Sequence, residues 1–129
     1  MNTRQIKVLV VDDESDFRQL MTFWLESKGY SILSAADGEA GIKLAQENNP
    51  DIIFMDLRMP NMDGAETIGR IRQFNKEVPI IVISAYIDDP KAIAAMSHGV
   101  SGVFYKGTDF KESLSLLEAA LRTHKKLKE

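Results

Sequence analysis

Five residues stand where short apolar runs give way to polar loops, and their types suit one kind of chemistry. Ile6-Lys7-Val8-Leu9-Val10-Val11 ends in Asp12-Asp13-Glu14, and Ile52-Ile53-Phe54-Met55 ends in Asp56. Ile80-Ile81-Val82-Ile83 ends in Ser84, and Val103-Phe104-Tyr105 ends in Lys106. Asp56 is the most informative of them. Four consecutive apolar residues suit a strand buried on both faces, and a carboxylate delivered by such a strand is costly unless it is paired or hydrogen-bonded. If these ends converge, three carboxylates crowd together and at least one is pushed toward protonation unless a cation is present. An all-oxygen set with neither His nor Cys suits a hard ion such as Mg²⁺, or Mn²⁺. Beside an amine and a hydroxyl, a carboxylate neutralised in this way can accept a phosphoryl group. Asp56 would attack phosphorus and become an acyl phosphate, with Lys106 and Ser84 covering phosphoryl oxygens.

The elements that must position these residues follow from the hydrophobic pattern. Each of five apolar runs is followed by a helical one. After Asp12-Asp13-Glu14, Ser15 and Asp16 can cap a helix whose stripe is Phe17, Leu20, Met21, Trp24 and Leu25. Gly29 ends it. The second run, Tyr30 to Ala35, is the least hydrophobic, as expected of a sheet edge. Asp37-Gly38 then turns into a helix from about Glu39 to Asn48, with Ala40, Leu44 and Ala45 inward and Gly41 as a weak point. Pro60 and Asp63-Gly64 turn the central run into a helix with Ile68 and Ile71 inward, Asp63 acting as a turn former. Asp88-Asp89-Pro90 starts a fourth helix packed by Ile93 and Met96 and closed by Gly99. Thr108-Asp109 can cap a fifth, with Phe110, Leu114, Leu117 and Leu121 as its stripe.

Strand–helix alternation repeated five times implies an α/β, doubly wound (βα)5 flavodoxin-like sandwich: a parallel sheet of order 2-1-3-4-5 with helices on both faces. Ligands in such sheets bind beyond the carboxyl ends of the strands, where all five candidate residues fall.

Val-Val-Asp-Asp-Glu at 10–14, Met-Asp-Leu-Arg-Met-Pro-Asn-Met-Asp-Gly at 55–64, Ile-Ser-Ala at 83–85 and Lys106 together resemble the receiver domain of two-component response regulators. The resemblance runs from about Ile6 to Leu121, in the right order and spacing. It implies that Asp56 is loaded from a phosphohistidine on a histidine kinase or histidine phosphotransfer protein. It also implies that Asp12, Asp13, Asp56 and the backbone carbonyl of Arg58 surround Mg²⁺, one acid of the pair reaching the metal through water. Phosphorylation would draw the Ser84 hydroxyl inward and repack the surface of the fourth helix, fifth strand and fifth helix, for partner binding or homodimerisation. Arg58 and Tyr86 occupy the family's variable places beside the phosphoryl group and either shield it from water or face solvent. Two positions depart from the family pattern. Val103 stands where the family has an aromatic coupled to the switch, so either Tyr105 substitutes for it or switching runs without one. Gly107 replaces the usual proline after the lysine, so a cis peptide is not expected there.

At 129 residues the chain is expected to form one receiver domain, with a core of about 6–121 and a basic end, 122–129, that is a helix terminus or the start of a linker. A net charge of −3 argues against direct nucleic-acid binding by this domain. The absence of Cys excludes thiol chemistry and disulfides. No apolar run approaches a membrane span, and the first residues lead into too short an apolar stretch for a signal peptide, so a cytoplasmic protein is expected. His98 and His124 have no ligand partners at useful spacing. The competing readings are a Mg²⁺-dependent phosphatase with an aspartyl nucleophile, a receiver with weakened switching, and an FMN-binding electron carrier. Asp12-Asp13-Glu14 would repel the phosphate of FMN, and the phosphatase pattern places its nucleophile after the first strand. A signalling phosphoacceptor, with only its own phosphorylation and dephosphorylation as chemistry, is the expectation.

Overall fold

A computed structural model describes residues 5–86, 88–107 and 110–122. Five parallel strands, β1 (Lys7–Val11), β2 (Ser31–Ala35), β3 (Ile52–Asp56), β4 (Ile80–Ser84) and β5 (Gly102–Tyr105), form one sheet of order β2-β1-β3-β4-β5. Between and after them lie α1 (Ser15–Ser27), α2 (Gly38–Asn48), α3 (Gly64–Arg72), α4 (Pro90–Met96) and α5 (Phe110–Arg122). This is the flavodoxin-like α/β architecture expected from the alternation, and the weakly apolar β2 does lie at an edge.

Period-two alternation sorts the strand residues into two cores. Leu9, Val11, Ile53, Met55, Ile80 and Val82 face α2, α3 and α4, meeting Ala45, Ile68, Ile71 and Ala95. Val8, Val10, Ile52, Phe54, Ile81, Ile83 and Phe104 face α1 and α5, meeting Met21, Leu25, Leu117 and Leu121. Both faces of β3 and β4 are therefore dry, which is why their sequences read as unbroken apolar runs. Register then brings the functional ends together. Val11 pairs with Met55 across β1 and β3, and Asp56 pairs with Ile83 and Ser84 with Tyr105 farther along.

Several local expectations are corrected. Ile93 and Met96 do not pack α4; they are 70% and 59% exposed, and Ala95 is the helix's buried residue. Leu20, expected on the α1 stripe, is half exposed. Glu14 occupies the N-cap of α1 without a side-chain bond, so neither Ser15 nor Asp16 caps it. Asp63 is more than a turn former. It caps α3 by accepting from the Glu66 N–H at 2.9 Å, and it pairs with Lys91 at 2.7 Å, tying α3 to α4. Gly41 lies against β1, where a Cβ would stand 2.9 Å from Val11, so close packing accounts for a residue that propensity disfavours. The proposed capping by Thr108-Asp109 and the basic end at 123–129 lie outside the described residues.

Candidate functional site

Asp12 follows β1, Asp56 ends β3, Ser84 ends β4 and Lys106 follows β5, so four adjacent strands deliver their terminal side chains to one rim. Backbone bonds hold the strand exits in step. Leu57 N–H donates to the Ile83 carbonyl at 3.1 Å, and Lys106 N–H to the Ser84 carbonyl at 2.8 Å. The exit of β3 is also pressed against α3. A Cβ on Gly64 would fall 2.2 Å from the Asp56 carbonyl oxygen, so only glycine fits there.

The acidic centre is crowded. Carboxylate oxygens of Asp12, Asp13 and Asp56 lie within 4.8 Å of one another. Asp12 is fully buried and Asp56 is 5% exposed, whereas Asp13 faces solvent. Asp12 Oδ1 accepts from the Glu14 N–H at 2.8 Å, which turns Oδ2 inward. That oxygen is buried and accepts no hydrogen bond, although Lys106 Nζ is 3.1 Å away. An unaligned ionic contact therefore leaves it open to another positive partner. An orphaned carboxylate oxygen among three carboxylates, with no nitrogen or sulfur donor, fits a hard divalent cation such as Mg²⁺.

Charge repulsion is visible at Asp56. Burial, then the Asp12 charge, outweigh the attraction of Lys106 and raise its pKa to about 8. Without a cation, then, the carboxyl that would act as nucleophile is shifted toward its protonated form. Lys106 lies 3.9 Å from Asp56 Oδ2, bonds Glu14, and sits 4.8 Å over the Phe17 ring. Burial alone would lower its pKa, but Glu14, Asp56 and Asp12 hold it above the ordinary lysine value.

A cavity of about 270 Å³ opens over Asp56, lined by Asp13, Glu14, Arg58, Ser84, Tyr86, Asp89 and Lys106 among others. Ser84 Oγ donates to the Tyr86 carbonyl at 2.8 Å and accepts from the Tyr86 N–H at 3.1 Å. The Arg58 guanidinium stacks 5.4 Å from the Tyr86 ring and pairs with Asp89 at 2.8 Å. Val103 belongs to the core facing α2, α3 and α4, and Tyr105 is half-buried at the end of β5. Asp13, Asp56, Ser84 and Lys106 thus meet at one mouth, with the buried Asp12 against Asp56 and Lys106. Two participants escaped sequence reasoning. Glu14 was visible as the third acid after β1, but nothing in sequence says it reaches Lys106. Asp89 read only as a helix start.

Residues 8–118 match the response regulator receiver domain family. The chain belongs to that family. It is a family of signalling domains of two-component systems. Among curated proteins, the chain is 34% identical over 116 residues to the response regulator ArlR of Staphylococcus saprophyticus, covering 90% of this chain and 52% of that protein. It is 36% identical over 118 residues to the transcriptional regulatory protein YdfI of Bacillus subtilis, covering 90% and 55%. The receiver domain thus spans about half the length of these relatives. Among solved structures, the chemotaxis protein CheY4 of Vibrio cholerae superposes with a TM-score of 0.87 at 30% identity, covering 92% of this chain and all of that one. Among the described residues, no helix is long and apolar enough to cross a membrane.

Proposed function

We propose that this receiver domain is a phospho-switch in which Asp56 accepts a phosphoryl group from a phosphohistidine of a histidine kinase or histidine phosphotransfer protein. An oxygen of Asp56 bonds to phosphorus as the phosphorus–nitrogen bond breaks, and the imidazole keeps the electron pair and takes up a proton. The product is an acyl phosphate on Asp56. The observation that carries this reading is the placement of Asp56, buried at a strand end beside two further carboxylates and facing a cavity shared with Ser84 and Lys106.

Asp12, Asp13, Asp56 and the backbone carbonyl of Arg58 would hold Mg²⁺, or Mn²⁺. Bound there, the ion supplies the positive charge that ionises Asp56 and offsets charge on the transferred group. Lys106 turns from the acids toward a phosphoryl oxygen, and Ser84 donates to another. The change at Ser84 is passed to α4, β5 and α5, where Val103 and Tyr105 lie, and alters that surface for a partner or a second copy. Tyr105 partly substitutes for the aromatic that the family has where Val103 stands, or the switch runs without one. Arg58 and Tyr86 roof the cavity and limit hydrolytic water. In the same reading 1–129 forms one receiver domain, acts in the cytoplasm, and does no chemistry beyond its own phosphorylation and dephosphorylation.

Incubation with acetyl phosphate or a phosphorylated kinase, with and without Mg²⁺, tests this. Wild type should take up one acid-stable, base-labile phosphoryl group only with the metal, and Asp56→Asn should take up none. Incorporation that persists in Asp56→Asn would falsify the assignment.

A further inference from the structure

Asp89 has no part in the phosphoryl chemistry just described, yet it is the most completely bonded carboxylate beside the cavity. Its side chain is 1% exposed. Oδ2 accepts from Arg58 Nε at 3.1 Å and lies 3.3 Å from Ser84 Oγ; Oδ1 accepts from Arg58 Nη2 at 2.8 Å and from the Lys91 N–H at 3.0 Å. Three N–H groups and a Ser84 hydroxyl shared with the Tyr86 carbonyl, four donors in all, fill the sites a carboxylate offers. Two of the donor residues, Arg58 and Ser84, line the cavity over Asp56, and the fourth donor is the first turn of α4.

Resting on the phosphoacceptor reading above, we propose that Asp89 is a positioning residue of the switch. It holds Ser84 and Arg58 in the resting arrangement and ties both to α4, so that a phosphoryl group on Asp56 must compete with Asp89 for them.

The hydrogen-bond inventory makes the competition unavoidable. The Ser84 hydroxyl has one proton, and it lies between the Tyr86 carbonyl and Asp89. Donating it to a phosphoryl oxygen gives up both. Arg58 spends its planar fork on Asp89, and the same fork suits phosphoryl oxygens. Once either donor leaves, a buried carboxylate is short of partners, which is costly until it is rehydrated. Because Asp89 is also the N-cap of α4, rehydrating it means moving the start of that helix. The tie is charge-assisted, since the Arg58 guanidinium forks onto both carboxylate oxygens. The route from Asp56 to α4 then needs no aromatic at Val103.

Asp89→Asn and Asp89→Ser both keep an N-cap acceptor for α4 while removing the charge. Amide spectra of the wild-type 129-residue chain before and after acetyl phosphate with Mg²⁺ define the resting and phosphorylated positions of Tyr86 and residues 91–96. In either unphosphorylated variant these amides should already lie toward the phosphorylated positions. Asp56 should label about tenfold faster, the weight of one charge-assisted hydrogen bond. Amides that stay at rest or leave that line, with an unchanged labelling rate, overturn the proposal. Wild type offers a check that needs no variant: the Arg58 Nε–H resonance must move on phosphorylation, and an unmoved resonance also overturns it. Failure of the underlying reading shows separately, as wild type that takes up no phosphoryl group at Asp56, and the latch falls with it.

Discussion

Asp56 is shifted toward a form that its chemistry cannot use, and the causes have measurable consequences. Its pKa is raised from 3.8 to about 8, by burial first and by Asp12 second. Between those values the metal-free folded protein holds a proton that the unfolded chain has released. Stability should therefore fall as pH rises from about 4 to about 8 and level off above, by no more than about 1.4 kcal/mol per pH unit for one proton. Asp56→Asn should flatten that segment, which chemical denaturation in chelator across the pH range would read. Lys106 acts in the opposite sense, since its charge lowers the Asp56 pKa. In Lys106→Met the decline should extend to higher pH, and the Asp56 carboxyl carbon, followed by NMR in chelator, should titrate later. A Lys106→Met titration that coincides with wild type would show that the ammonium is screened from Asp56.

At the scale of elements, the join between β3 and α3 carries the phosphoacceptor. Gly64 N–H donates to the Leu57 carbonyl at 2.9 Å, and its Cα side faces the Asp56 backbone with no room for a methyl group. Backbone cannot yield as a flexible side chain can. Gly64→Ala should thus cost about 2–3 kcal/mol, at the upper end of overpacking, and should slow labelling of Asp56, because the strand end that presents it is displaced. A urea midpoint within error of wild type would contradict this. The strands and the sheet order were legible because both faces of β3 and β4 are buried and leave unbroken apolar runs. The acids, Ser84 and Lys106 were legible because strand ends share one rim. Side-chain partners were not. Ile93 and Met96 follow a helical period yet face solvent, since α4 spans only Pro90–Met96 and buries little beyond Ala95. Asp89 looked like a helix start and is one, but its bonds to Arg58 and Ser84 come from the loop after β3 and from the end of β4, 31 and 5 residues away. The backbone after Lys106 differs for a local reason: Gly107 adopts φ +95°, which the proline of the family pattern could not.

For the whole molecule, sheet order decides what a cation would do. β1 and β3 are hydrogen-bonded neighbours, so Asp12 and Asp13 on one side and Asp56 on the other would be joined by a single ion across the centre of the sheet. The unfolded chain has no such cluster, because residues 12 and 56 are far apart in sequence. An ion bound only by the folded state adds stability by mass action, about 2.7 kcal/mol at a hundredfold excess over its dissociation constant. Mg²⁺ should accordingly raise the urea midpoint at pH 7 without changing the slope. The gain should shrink as pH falls, because protons compete for the same carboxylates. Asp12→Asn should lose most of the gain although it relieves repulsion and so stabilises the metal-free protein. The two effects have opposite signs, which separates a site built for a cation from acids that are merely close. A Mg²⁺-independent midpoint in wild type, or an equal gain in Asp12→Asn, would mean that the central cluster is not where the ion binds.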